Sequence, residues 1–148
     1  MKTINMTHQM KAKESPTNGI LIIDKKTGMT SMDVLRRVKQ ATGQKKGVGH
    51  GGTLDPLAEG VLPICFGQAT RLMELLVSQT KEYTMTIRLG VTTDTYDSEG
   101  VASEEAKYSH LSRETIENTL EKFRGTFPQT PPMYSALKRE GKRLYQLA

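Results

Sequence analysis

Residues 47–56 read GVGHGGTLDP, with four glycines in ten positions. A stretch this poor in side chains neither propagates a helix nor fills a sheet, and its backbone reaches conformations that other residues resist. It must be a connection, and its neighbours say what it connects. Upstream, Thr30 or Ser31 is placed to cap a helix running to about Thr42. Val34, Leu35, Val38 and Ala41 form its apolar stripe, and Gly43 stops it. Downstream, VLPICF (61–66) reads as a buried strand, with Pro63 arguing for a place at a sheet edge. The glycine-rich segment therefore joins a helix to a strand.

The rest of the chain mixes the two periodicities. GILIIDK (Gly19–Lys25) is apolar and β-branched, so a strand. Residues 69 to about 77 predict a helix burying Leu72, Leu75 and Leu76. KEYTMTIRLG is the clearest strand pattern: Tyr83, Met85, Ile87 and Leu89 alternate with Glu82, Thr84, Thr86 and Arg88. TTDTYDSEG is a turn-rich loop. Ser112 caps a helix to about Arg124, with Ile116, Leu120 and Phe123 inward and Gly125 ending it. TFPQTPP is extended, and the tail MYSALKREGKRLYQLA is basic with interleaved tyrosines. Strands and helices do not alternate strictly. The expected class is α+β, with a mixed or antiparallel sheet flanked by helices. The basic tail has no closing element after it, so the expected fold is incomplete in this chain.

Length and composition limit the function. The 148 residues suffice for one core, and 36% hydrophobic with 25% charged content suits a globular protein. No run approaches the roughly 20 apolar residues of a membrane span. The first 18 residues have no apolar signal region and read as a polar, mobile lead-in. The single cysteine, Cys65, rules out an internal disulfide and a cysteine-based zinc site, and fits a small core residue. A cytoplasmic location is expected. The net charge is +5 and unevenly spread. Lys25, Lys26, Arg36, Arg37, Lys39, Lys45 and Lys46 crowd one stretch, and Lys138, Arg139, Lys142 and Arg143 another. Such segregation suits a polyanion such as RNA, or else a solvated surface.

The glycine-rich loop is where chemistry could sit. It has the glycine spacing of a phosphate-binding P-loop, but Thr53-Leu54 stands where Lys-Ser/Thr is required. No long helix follows the glycines, so a dinucleotide fingerprint also fails. What remains is a substrate-pocket loop carrying His50 and Asp55. A carboxylate there can be a nucleophile or a general base. From the loop alone, Asp55 could equally cap a turn and His50 could simply pack. Asp94, Asp97 and Glu99 do not match a calcium-loop spacing and read as a polar turn.

The string Gly49-His50-Gly51-Gly52-Thr53-Leu54-Asp55-Pro56-Leu57-Ala58 resembles the signature of the TruB family of pseudouridine synthases. Many members carry Thr where Gly51 stands, and Gly also occurs. Lys81-x-Tyr83, Arg88-Leu89-Gly90 and Thr93-Asp94-Thr95-x-Asp97-x-x-Gly100 match a second block. Pro131-Pro132-Met133-Tyr134-Ser135-Ala136-Leu137-Lys138 and Gly141-x-Arg143-x-Tyr145 match a third. The resemblance runs from Gly19 to the end.

It implies a pseudouridine synthase fold and the isomerisation of uridine to its C-glycoside in the T loop of tRNA, at tRNA position 55. No metal or cofactor is implied, nor an obligate protein partner. Asp55 aligns with the catalytic aspartate. Tyr83 aligns with an active-site tyrosine that stacks on the flipped base, and His50 with a substrate-contacting histidine. Asp97 would orient a pocket arginine. Lys138 and its basic neighbours, with Lys45 and Lys46, would meet phosphates, and the segment from about 131 resembles a thumb loop that clamps RNA. The string Asp55-Pro56-Leu57-Ala58-Glu59-Gly60 looks more like the stand-alone bacterial form than the guide-RNA-dependent one that modifies ribosomal RNA. A non-catalytic RNA-binding or tRNA-folding module is the alternative of a different class. Because the family carries further active-site residues beyond this length, the fragment alone is expected to be inactive or nearly so.

Overall fold

A computed structural model of the chain describes residues 17–130, 138–139 and 141–143. The chain divides into two units, 1–82 and 83–148.

The first unit is a three-stranded antiparallel sheet with a helix packed on one face. Strand β1 (Gly19–Lys25) pairs with β3 (Gly60–Phe66), which pairs in turn with β2 (Val48–His50), giving the order β1-β3-β2. Helix α1 (Ser31–Thr42) follows β1. Its start is set by a capping box. Thr30 Oγ1 accepts from Asp33 N at 3.1 Å, and Asp33 Oδ2 accepts from Thr30 N at 3.0 Å. Gly43 ends the helix in the left-handed conformation, at φ 69°. Val34, Leu35 and Val38 pack against Leu62, Ile64 and Phe66, which alternate along β3 and so share one face, with Val48 alongside. Ala41, expected on the buried stripe, is exposed.

The capping box makes a pH prediction. Hydrogen bonds from the Thr30 hydroxyl and then the Thr30 N–H, with Arg36 beside them, hold the Asp33 carboxyl below its ordinary range. A depressed folded value adds stability at pH above the unfolded value of about 4, and that stability goes as pH falls through the lower folded value. Helix ellipticity titrated from pH 6 to 2 should therefore lose less in Asp33→Asn than in the parent.

Pro63 sits in the central strand, not at an edge. The N and C=O of a strand residue point the same way. Pro63 O accepts from Gly51 N at 2.8 Å, just past the end of β2, so the missing N–H also points there and not at β1. On the second face of the sheet, residues 67–72 form 3₁₀ turns leading into α2 (Met73–Ser78). This is shorter than the helix expected from 69. Leu72 and Leu75 are exposed, and Leu76 is only partly buried. Met73 and Leu76 lie directly over Gly49 and Gly51, where a Cβ would come within 2.6 Å and 2.9 Å of them. The stretch 47–56, expected to be connection throughout, thus opens as edge strand β2, and two of its four glycines admit a helix and not a ligand. Ile20, Ile22 and Val61 stay exposed on that face, while Cys65 is fully buried. The expected lead-in also ends early. Thr17 N donates to Gln44 Oε1 and Gln68 N donates to Asn18 Oδ1, while 1–16 lie outside the described residues.

The second unit is described by itself. The alternating segment 81–88 forms no strand. Tyr83 is 59% exposed and Met85 73% exposed. Period-two alternation states a preference for a half-covered strand, and a ladder also needs a partner. Among the described residues none pairs with it. A hairpin of β4 (Val91–Thr93) and β5 (Ala102–Glu105) brackets the expected turn. Asp94 Oδ1 accepts from Val101 N at 2.8 Å to close that turn. Helix α3 (Arg113–Leu120) starts at its Ser112 cap and tightens into a 3₁₀ turn, 121–123. Ile116 is only partly buried, and Leu120 and Phe123 are exposed, against expectation. Phe123 instead meets Phe127 edge-to-face at 5.8 Å. Strands β6 (Lys138–Arg139) and β7 (Lys142–Arg143) pair across Gly141. The elements are helices and antiparallel strands, an α+β arrangement. Among the described residues, no helix is long and apolar enough to cross a membrane.

Candidate active site

His50 ends β2, and Asp55 lies on the connection from β2 to β3. His50 is half-buried, and its Nδ1 pairs with Gly52 O. A carbonyl only accepts, so Nδ1–H donates and Nε2 is the nitrogen left for a ligand. Asp55 is exposed, and its carboxylate has no hydrogen-bonding or ionic partner among the described residues. Its own C=O accepts from Ala58 N at 3.1 Å, which starts a turn.

The main chain on either side of Asp55 is tied down. Ser31 Oγ accepts from Leu54 N at 3.0 Å and donates to Leu54 O at 3.1 Å. Pro56 O accepts from Gly28 N at 2.9 Å and lies 3.5 Å from Lys25 Nζ. Lys25 is 1% exposed, and its Nζ also donates to Met29 O at 2.8 Å and Lys26 O at 3.1 Å. The turn after β1 is thus welded to the Asp55 connection. Lys25, counted in the sequence among the cations suited to a polyanion, is therefore not one of them, because its charge is buried on main-chain carbonyls, and Ser31 stands out there only as a possible helix cap. The parity of β1 does hint at Lys25, which shares the inward face with Ile23. Lys25→Met should lower stability by about 1.5–3 kcal/mol, because the Met29 carbonyl loses a charge-assisted bond in a buried place. Urea unfolding followed by ellipticity would measure this, and a loss below about 0.5 kcal/mol would sink the argument.

Tyr83, Asp97 and Lys138 belong to the second unit. Tyr83 lies in the unpaired stretch 81–88 with its ring exposed. Asp97 Oδ1 accepts from Thr95 Oγ1 at 2.6 Å and from Glu99 N at 2.9 Å. The Thr95 hydroxyl and the Glu99 N–H hold the Asp97 carboxyl below its ordinary range. No arginine pairs with Asp97 among the described residues. Its observed work is to shape the turn before β5. Next to it, Tyr96 takes a positive φ of 63°. Lys138 stands opposite Arg143 in the β6–β7 register, and Arg139 opposite Lys142, so four basic residues share one short hairpin. Most of the thumb-like segment, 131–137, lies outside the described residues. Two grooves lie among the described residues. One, of about 610 Å³, lies between 88–91 and 105–109. The other, of about 340 Å³, lies between β1 and α1. Neither includes His50 or Asp55 in its lining.

Residues 39–148 match the family described as TruB family pseudouridylate synthase (N terminal domain). A tRNA pseudouridine synthase B of Clostridium perfringens is 50% identical over 131 residues, 88% of this chain and 44% of that protein. One from Francisella philomiragia is 47% identical over 140 residues, 94% of this chain and 46% of that protein. One from Coxiella burnetii is 46% identical over 142 residues, 96% of this chain and 46% of that protein. The chain spans about half the length of the curated relatives it matches. With the match covering the Asp55 connection, both hairpins of the second unit and the helix between them, the chain belongs to the TruB family of pseudouridylate synthases.

Proposed function

We propose that this chain contributes the catalytic aspartate and part of the RNA-binding surface for isomerising uridine to pseudouridine in the T loop of tRNA. The observation that carries the reading is Asp55: an exposed carboxylate, without a partner among the described residues, on a connection pinned at both flanking residues. The relatives' name, tRNA pseudouridine synthase B, supports the substrate class. The reaction breaks the bond from N1 of uracil to the sugar, turns the base, and joins C5 to the same sugar carbon. The C5 hydrogen leaves and N1 gains a proton, so the balance closes without oxidant or metal. Asp55 acts as nucleophile or stabilises developing charge at the sugar or base. The target base has to leave its stack, which costs a few kcal/mol and is offset by stacking and edge hydrogen bonds. Tyr83 supplies the stacking ring, and His50 offers Nε2 to the RNA. Asp97 shapes the neighbouring turn and orients an arginine when the site is assembled. Lys138 and the other cations of its hairpin meet phosphates, with Lys45 and Lys46.

The test is release of tritium from a T-arm hairpin carrying uridine labelled at C5, with a hairpin lacking the target uridine as control. Target-dependent release carries the reading. Binding of the hairpin without release, at enzyme in excess, is what an incomplete active site gives, and release that stays absent once the chain is joined to the C-terminal half of a relative would place it among RNA-binding modules instead.

A further inference from the structure

Two polar or charged side chains are buried among the described residues, Lys25 and Ser31. These two side chains reach the main chain on either side of Asp55. We propose that Ser31 is a positioning residue, whose hydroxyl fixes the main chain of Leu54 and thereby holds the Asp55 carboxylate where it meets substrate. The inference rests on the reading of Asp55 as catalytic.

Ser31 opens α1, where a serine would ordinarily satisfy the free N–H groups of the first turn. Here Thr30 already holds that role through Asp33. The Ser31 hydroxyl is left for the Asp55 connection, 23 residues away. It takes both polar groups of one residue, accepting from the N–H and donating to the C=O of Leu54. That imitates a strand bridge in a stretch too irregular for one. The Leu54 side chain also packs on the core, so Leu54 is gripped on main chain and side chain alike. Two residues on, Pro56 is held by Gly28. Between two held residues the Asp55 backbone has little freedom, although its side chain is exposed. Small misplacements of a reacting group cost rate steeply, up to about 100-fold for 1 Å. Space-filling does not account for the contact, since a methyl group would fill the place of the hydroxyl and leave both Leu54 groups unpaired.

The experiment compares the full 148-residue chain with Ser31→Ala, Ser31→Thr and Val38→Ala, all at a temperature where each is folded by far-UV ellipticity. Val38 is a buried residue of α1 with no contact to the connection in the hydrogen-bond network, so its variant controls for lost stability alone. Ser31→Ala should speed exchange of the Leu54 amide hydrogen at least about tenfold beyond Val38→Ala. It should lower single-turnover rate on the T-arm hairpin about 10- to 100-fold while the Kd for RNA stays within about threefold. Ser31→Thr, which keeps the hydroxyl, should recover most of both. Leu54 exchange in Ser31→Ala no faster than in Val38→Ala would overturn the proposal, as would a rate loss no greater than that of Val38→Ala. If the parent chain itself gives no turnover, as expected of a chain spanning about half its relatives' length, the rates are compared in the same variants joined to the C-terminal half of a relative, and the exchange comparison upholds or overturns the tether in either case.

Discussion

Asp55→Asn should reduce pseudouridine formation by roughly a thousandfold or more in this chain joined to the C-terminal half of a relative, as removal of a catalytic group usually does. The same substitution should leave two other quantities nearly untouched. Asp55 is exposed and makes no side-chain hydrogen bond or ion pair among the described residues, so stability should move by no more than about 0.5 kcal/mol. Affinity for a T-arm hairpin should stay within about threefold, because phosphate contacts come from lysine and arginine. Loss of a negative charge next to a polyanion would, if anything, tighten binding. Tritium release, urea unfolding and a binding titration on the same preparations separate the three. Residual release above about a tenth of the parent rate would remove Asp55 from the chemistry.

Ile64→Ala should be the most damaging of the core changes considered. Ile64 is 0% exposed in the central strand, with a strand on each side and α1 on its face. Ile→Ala at such a site costs about 2–5 kcal/mol, the lost transfer energy plus the cavity. Whole domains hold only about 5–15 kcal/mol. The buried hydrophobic set here is small: Val34, Leu35, Val38, Val48, Leu62, Ile64, Cys65 and Phe66 among the described residues. The first unit should therefore lose roughly 10 °C or more in Tm, or fail to fold. Ile22→Ala provides the contrast. It lies in the same sheet on the open face at 59% exposure, and should cost less than about 1 kcal/mol. Equal losses for the two would mean that the open face is covered in solution.

What the sequence disclosed, and what it hid, follows from the range of each interaction. Helix α1 was legible because its cap, stripe and terminator are local: Thr30 with Asp33, Val34 with Val38, and Gly43. Strand β3 was legible too, but the edge inferred from Pro63 was wrong. A missing N–H matters only on the side where the partner strand continues, and nothing local says where β2 ends. The stripe Tyr83, Met85, Ile87 and Leu89 shows the reverse failure. Its alternation is strong, yet a ladder is a property of two segments. The hairpin β4–β5 escaped notice because ASEE carries no apolar alternation. At the candidate site, Asp55 and His50 were singled out through a string of residues, not through patterning. The contacts of Ser31 with Leu54, and of Lys25 with Pro56, span 23 and 31 residues and involve main-chain atoms on the loop side. Main-chain partners leave no mark in the choice of residue, so that tether appears only in the fold.

Cys65 gives the first unit a built-in clock. It is the sole cysteine, fully buried in the central strand, and burial pushes its thiol above the usual range. A thiol reagent in solution therefore has to wait for the sheet to part. When opening is in rapid equilibrium, the labelling rate divided by that of an exposed thiol is the fraction of time the sheet is open. Any RNA that binds the closed form should slow labelling by a factor of 1 + [RNA]/Kd, so one colorimetric thiol assay would read both the opening of the sheet and binding to its closed form without measuring turnover.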